Sequence, residues 1–226
     1  MLHLKPQIIG VLGLGIFGRT VAKELNKYGK EVIAIDHDAS HVELIADEVT
    51  TATVGDFTDF DLLEEIGLAN CDVVIIATGT NLESAVLAVM HAKRLGIPKI
   101  IAKARGTVFE DVLNELGATT IISPERDSGK RLASKLLRTN IEEILPLDED
   151  TSIIEFKAPE KWVGRNLLTL DLRNQYDMNI IGMRKSRKEK MRTQFDIQAP
   201  VEPGTIFIAV TSEKTFEKYD YLNRIK

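Results

Sequence analysis

The chain has 226 residues, 44% of them hydrophobic and 28% charged, enough apolar content for one large domain or two modest ones. Its formal net charge of −5 speaks against wholesale nucleic-acid binding, which calls for a basic surface. A single cysteine, Cys71, excludes an internal disulfide and completes no zinc-ligand spacing with the histidines, and no apolar run approaches the roughly 18 residues that span a bilayer. The opening MLHLKPQ lacks the basic start and apolar core of a secretory signal. A soluble cytoplasmic protein is expected, one that meets a membrane only through a partner.

Through about residue 125, short apolar runs alternate with amphipathic stretches. Strands are expected at 7–13, 31–36, 50–54, 72–78, 99–104 and 119–124, most of them β-branched and apolar on both faces, as in a buried parallel sheet. Between them Phe17, Val21, Ala22 and Leu25, and later Ala85, Val86, Val89 and Ala92, recur at helical spacing. Gly29, Gly67, Gly96 and Gly117 each follow a helical run, as stop residues do. Six βα units predict an α/β fold, a Rossmann-like doubly wound parallel sheet. A last, longer helix is expected over 127–141, with Leu132, Leu136 and Leu137 on one face, and the polar 146–151 marks a boundary. Residues 1–145 would form the first domain and 146–226 a small α+β carboxyl-terminal domain, with strands at 152–159, 179–185, 191–198 and 205–211 and helices at 167–176 and 213–223. The basic run RKSRKEKMR, Arg184 to Arg192, is a solvated hairpin tip or a loop that faces phosphate or a membrane.

The segment IIGVLGLGIFGRTVAKEL carries Gly13, Gly15 and Gly18 at G-x-G-x-x-G spacing between a strand and a helix. Gly13 permits the tight turn, Gly15 leaves room for a pyrophosphate, and Gly18 lets the helix pack on the sheet; Ile16 and Phe17 fill the intervening positions. The first amides of that helix meet the phosphates with the favourable end of its dipole. Asp36, closing the second strand, can accept both ribose hydroxyls and would repel a 2′-phosphate. Asp56 after strand three, Thr78, Gly79 and Asn81 after strand four, and Lys103 and Arg105 after strand five fall at carboxyl ends of strands, where ligands of such sheets bind. Taken singly, each of them is equally a helix cap or a solvated loop residue.

Consuming the nucleotide would require a proton donor or acceptor near the reacting atoms. His3 precedes the first strand, His37 and His41 stand at the adenosine end, His91 lies among apolar neighbours in the fourth helix, and no Tyr-x-x-x-Lys pair or P-loop is present. No catalytic residue is assigned. The alternative is an NAD-dependent oxidoreductase with its substrate pocket between the domains; a redox-sensing repressor would need a helix-turn-helix and a basic face.

The motifs VLGLGIFGRTVAKEL…VIAID, GDFTD, DVVIIATG, AKA and LGATTIISPE, followed by a small α+β domain, resemble the RCK-domain proteins, the cytosolic KtrA/TrkA-type regulatory subunits of bacterial potassium-uptake systems. The resemblance implies a regulator that binds ATP or ADP, or NAD(H), in the Rossmann crevice. It also implies homodimers assembling to an octameric ring on the cytoplasmic face of a membrane-embedded potassium-transport subunit, with no nucleic acid involved. Where such relatives commonly carry an arginine that reaches phosphate, this chain has Ile16, with Arg19 one turn on as the available replacement. Glu125 matches an acidic position that holds a divalent cation such as Mg2+, or a nucleotide-linked contact between subunits; the other reading is a carboxylate complementing a helix dipole. Residues 127–140 would form the crossover helix. In the small domain the resemblance implies cyclic di-AMP binding by Arg173 and Asn179, flanked by Leu168, Leu172 and Ile180, against the plainer reading of a packing face.

Overall fold

The computed structural model describes residues 7–79, 81–137, 141–148 and 150–212; His3 and the helix expected at 213–223 lie outside them. The chain separates into two compact units, one ending at Asp127 and the other beginning at Ser128.

The first unit alternates β1 (Ile8–Leu12), α1 (Ile16–Lys27), β2 (Glu31–Asp36), α2 (Ala39–Glu43), β3 (Thr51–Val54), α3 (Phe60–Glu65), β4 (Val73–Ile76), α4 (Leu82–Arg94), β5 (Lys99–Lys103), α5 (Thr107–Leu116) and β6 (Thr120–Ile122). Its six strands pair in parallel in the order β3-β2-β1-β4-β5-β6, the expected doubly wound sheet. Successive residues point to opposite faces of a strand, and the two cores divide accordingly. Val74 and Ile76 join Ala85, Ala88, Val89 and Ala92 of α4, Leu63 of α3 and Leu113 of α5. Val73 and Ile75 join Ala22 of α1 and Val42 of α2, with Phe17, Val21 and Leu25 packed alongside. Continuous apolar strands are therefore needed because both faces are covered. The strand order reverses between β1 and β4, opening a crevice at their carboxyl ends.

Helix α6 (Pro124–Leu137) spans the division after Asp127; its Leu132 and Leu136 are exposed. The second unit continues with β7 (Ile141–Pro146), β8 (Thr151–Lys157), α7 (Leu167–Leu170), α8 (Leu172–Tyr176), β9 (Met178–Arg184) and β10 (Ile206–Ser212). These strands form an antiparallel sheet in the order β7-β8-β10-β9. Phe156, Trp162 and Phe207 pack as a ring cluster with centroids 5.9–6.2 Å apart, enclosed by Ile154, Leu170, Leu172 and Met178.

Three expectations change here. The helix expected to reach residue 141 is described only to Leu137, and Ile141 already belongs to β7. The polar 146–151 stretch is the turn of a β7–β8 hairpin, in which Asp148 accepts from the amides of Asp150 (2.9 Å) and Thr151 (2.7 Å). Residues 191–198 alternate like a strand but contribute only the bridge of Arg192 to Met183. Asp196 draws the backbone into a local turn instead, accepting from Gln198 N at 2.8 Å. That same bridge closes the basic run of 184–192 into a hairpin-like tip, with Arg184 paired to Glu155 and Lys185 to Glu202.

Candidate functional site

The crevice is built on the β1–α1 turn. Gly13 holds φ +95°, and a Cβ there would stand 3.2 Å from the backbone nitrogen of Thr78 on the neighbouring strand's exit. A Cβ at Gly18 would lie 1.9 Å from the Gly13 carbonyl oxygen, so α1 can seat against the turn only with hydrogen at that position. Gly15 differs: a Cβ would meet nothing within 4 Å, and the space beside it is open. Helices α2, α3 and α4 are capped by the side chains of Asp38, Asp59 and Asn81. Helix α1 starts from Gly15 with no side-chain cap and no acid in its first turn, and its first intrahelical bond, Arg19 N to Gly15 O, is 3.1 Å. The amides of Ile16, Phe17 and Gly18 thus precede the helical ladder beside an open space.

On one side stands Asp36, 4% exposed at the end of β2. Its Oδ2 accepts from Leu14 N at 2.5 Å and its Oδ1 from Asp38 N at 2.9 Å. The Nδ1 atoms of His41 and His37 lie 3.3 and 3.2 Å from the two oxygens. Burial pushes this carboxyl's pKa up, but the amides of Asp38 and Leu14, with His41, outweigh it and leave the pKa below the ordinary value. Asp36 therefore pins the glycine turn through Leu14, a role its position in the sequence did not disclose. Asp56 is exposed beyond β3, and its pKa is held low chiefly by the Thr58 amide and then its hydroxyl, 2.9 and 2.8 Å away. The end of β3 is tied to that of β2 by the bond from Gly55 N to Asp36 O, 2.9 Å.

On the other side stands Lys103, 7% exposed at the end of β5. Its Nζ is 2.6 Å from Glu125 Oε1 on the first turn of α6 and 5.7 Å from the centre of the Phe17 ring. The ammonium of Lys103 beside Glu125 holds that carboxyl's pKa below its usual value. A Cβ at Gly79 would come within 3.3 Å of Lys103 Cε and 3.5 Å of Arg105 Nε, so the bare backbone at 79 lets both cationic side chains close in. Ser123 and the Glu110–Arg126 ion pair (2.6 Å) fasten the start of α6 to α5, which fixes Glu125; nothing in the local sequence pattern signalled that network.

Gly13, Gly15, Phe17, Gly18, Thr78, Gly79, Lys103, Arg105 and Glu125 thus meet around one crevice end, and Asp36 borders the same turn. Ile16 is exposed and offers no charge. Asn81 serves as the cap of α4. A nucleotide fits these residues: open space at Gly15, uncapped amides, a buried cation for phosphate and a carboxylate at ribose position. Glu125 is engaged by Lys103, and among the described residues of this single chain no group of three or more His, Cys, Asp or Glu stands ready to hold a metal ion. In the second unit Leu168, Arg173 and Asn179 are exposed and Ile180 is half-buried, while Leu172 is part of the core. Cys71 is buried beneath β4 in the same cluster as Leu68 and Val74.

Residues 9–124 match the family model of the TrkA-N domain. The Ktr system potassium uptake protein C of Bacillus subtilis (strain 168) is 38% identical over 178 residues, 79% of this chain and 80% of that protein. Among solved structures, the GsuK channel bound to NAD has the same fold, with a TM-score of 0.66 at 14% identity; the likeness covers 99% of this chain but 40% of the channel, so this chain spans less than half of it. The Kef CTD of Shewanella denitrificans in its AMP-bound form is 27% identical, covering 58% of this chain and 82% of that one with a TM-score of 0.51. By its matched domain and its identity to a relative that it covers over 80% of its length, the chain belongs to the TrkA-N, RCK-domain family of Ktr-type potassium uptake proteins.

Proposed function

We propose that this protein is the cytosolic gating subunit of a Ktr/Trk-type potassium transporter and that an adenine nucleotide, ATP or ADP or else NAD(H), is its signal and not its substrate. The observation that carries the reading is the convergence of the open Gly15 position, the uncapped first turn of α1 and the buried Lys103 on one side of a turn whose other side is Asp36. The AMP bound by the Kef relative supports an adenylate in that crevice. Relatives named for potassium uptake support the partner, a membrane-embedded transport subunit. Among the described residues no helix is long and apolar enough to cross a membrane, which is consistent with attachment through that partner.

In this reading the protein is a cytoplasmic homodimer that assembles to an octameric ring, with a nucleotide-binding half, the crossover helix α6 after it, and a small half that begins with β7 and not at residue 146. A nucleotide moves such a gate only by its unequal affinity for two ring shapes. Gly13, Gly15, Ile16, Phe17, Gly18, Thr78 and Gly79 line the phosphate path, Lys103 and Arg105 meet its charge, and Asp36 and Asp56 take the adenosine end. The exposed Leu168, Arg173 and Asn179 with Ile180 offer a second surface for cyclic di-AMP, and Leu172 supports it from the core. The test is potassium flux through the reconstituted membrane subunit with this protein added. Exchange of ATP for ADP, or NADH for NAD+, is expected to change flux about five-fold or more. A protein that neither binds that subunit nor alters its flux ends the proposal, and steady nicotinamide turnover with a small alcohol or hydroxy acid would favour the oxidoreductase instead.

A further inference from the structure

Lys103 carries its charge almost out of solvent. Its side chain is 9% exposed, whereas that of Glu125, whose Oε1 stands 2.6 Å from Nζ, is 57% exposed. The carboxylate thus lies on the solvent side of the ammonium. On other sides are the Phe17 ring, its centre 5.7 Å from Nζ, and the bare backbone of Gly79, where a Cβ would stand 3.3 Å from Lys103 Cε. Phe17 belongs to the first turn of α1, whose uncapped amides mark the place for a phosphate. A phosphate seated there and the Glu125 carboxylate reach for the same ammonium.

We propose that Glu125 is a built-in competitor of the ligand's phosphate for Lys103, holding the ammonium until a bound nucleotide turns the carboxylate out. The inference rests on the reading of the crevice as an adenine-nucleotide site and adds the control of its affinity. A buried ammonium without an anion is costly, so one partner or the other must be present. Two anions at contact distance from a single ammonium repel each other, so the two partners alternate. The phosphate prevails because the amides of α1 hold it as well. Of the ion pair, Glu125 is the member that can leave, since its side chain already meets solvent while Lys103 is enclosed. Its backbone stays in place, because Ser123 and the Glu110–Arg126 pair fasten that turn of α6 to α5. Arg105, which also attracts Glu125, is exposed, and solvent screens that attraction. Deleting the charge of Glu125 should therefore strengthen the ligand, the opposite sign from a residue that merely builds the site.

The test is calorimetry on the full chain with ADP, and with NAD+, in a buffer that chelates divalent cations. Glu125→Gln keeps the shape of the side chain and deletes its charge. It should bind ADP about tenfold more tightly than wild type, while adenosine, which has no phosphate, binds as before. In a Lys103→Met background the same change should alter ADP affinity less than about twofold, because no buried ammonium then draws the carboxylate in. Zero-length carbodiimide cross-linking of the wild type, read by mass spectrometry, should join Lys103 to Glu125, and saturating ADP should suppress that product. Unchanged or weaker ADP binding in Glu125→Gln, an equal gain for adenosine, a gain that survives Lys103→Met, or a cross-link that is absent or indifferent to ADP each overturns the proposal while nucleotide binding by the wild type stands. If neither ADP nor NAD+ binds the wild type, the crevice reading itself fails and this inference goes with it.

Discussion

Gly18 and Gly15 sit three residues apart, yet the structure assigns them opposite responses to one added methyl group. At Gly18 the new Cβ would lie 1.9 Å from the Gly13 carbonyl oxygen and 3.0 Å from Ala77 Cβ. Even a contact of 3.0 Å requires α1 and the turn to part by about 1.1 Å, and the obstacle is backbone, which no side-chain rotation relieves. Overpacking of this kind costs about 1–3 kcal/mol, and a backbone clash belongs at the upper end. Alanine recovers about 1 kcal/mol of helix propensity, so Gly18→Ala should destabilise the first unit by about 2 kcal/mol. That corresponds to a fall of about 8 °C in its melting temperature. At Gly15 the backbone has φ −57°, which suits alanine, and there is no atom within 4 Å. Gly15→Ala should hold or raise stability by about 0.5 kcal/mol while its methyl group intrudes on the phosphate space and weakens ADP. Thermal unfolding followed by far-ultraviolet circular dichroism, with ADP calorimetry on both variants, reads the contrast. Wild-type stability in Gly18→Ala would refute the packing argument, and wild-type ADP affinity in Gly15→Ala would refute the phosphate placement.

Asp36→Ala removes the acceptor for Leu14 N and, in the proposed complex, for the ribose; ADP affinity should fall by about 1.5–3 kcal/mol, and unchanged calorimetry would mean the adenosine end lies elsewhere. Because the folded pKa of Asp36 lies below its ordinary 3.8, its stabilisation is present above about pH 4 and is lost as pH falls through the folded value; Asp36→Asn should flatten the acid limb of a stability-against-pH profile. Lys103→Met should weaken ADP about tenfold but leave adenosine binding unchanged, because Lys103 and its partner Glu125 stand on the phosphate path and not at the adenosine end; equal losses for both ligands would argue against the phosphate role. Burial, with a smaller push from Asp72, raises the pKa of the Cys71 thiol to about 11, so its neutral form favours the fold up to about pH 9 and that contribution disappears as pH rises through 11. Iodoacetamide should accordingly label Cys71 only after unfolding, and rapid labelling of the native protein would contradict its buried place.

How much of this was legible beforehand follows from the range of the interactions involved. Strands β1, β2, β4 and β5 declare themselves because a sheet covered on both faces demands unbroken apolar residues, a requirement each strand meets by itself. The turn glycines are local in part: Gly13 answers its own positive φ and Gly18 the Gly13 carbonyl five residues back, although Ala77 and Thr78 of the neighbouring strand's exit crowd both. β7 was not legible, since the acidic turn that joins it to β8 looks like a linker until the pairing of the two strands is known. Residues 191–198 show the reverse, an alternating pattern overruled by the hydrogen bond of a single aspartate. At the site, the positions of Asp36 and Lys103 at strand ends followed from periodicity and Glu125 was singled out by the family resemblance, but the partners of all three followed from neither. That Lys103 meets Glu125, that Gly79 admits both Lys103 and Arg105, and that Asp36 holds the glycine turn while the His41 imidazole crowds its Oδ2 are contacts between segments 5 to 26 residues apart. Local pattern determined which strands and helices form and where polar groups emerge; only the strand order, by bringing the ends of β1, β4 and β5 side by side, decided which of those groups touch, because charge pairing and close approach depend on distance in space and carry no periodic signature along the chain.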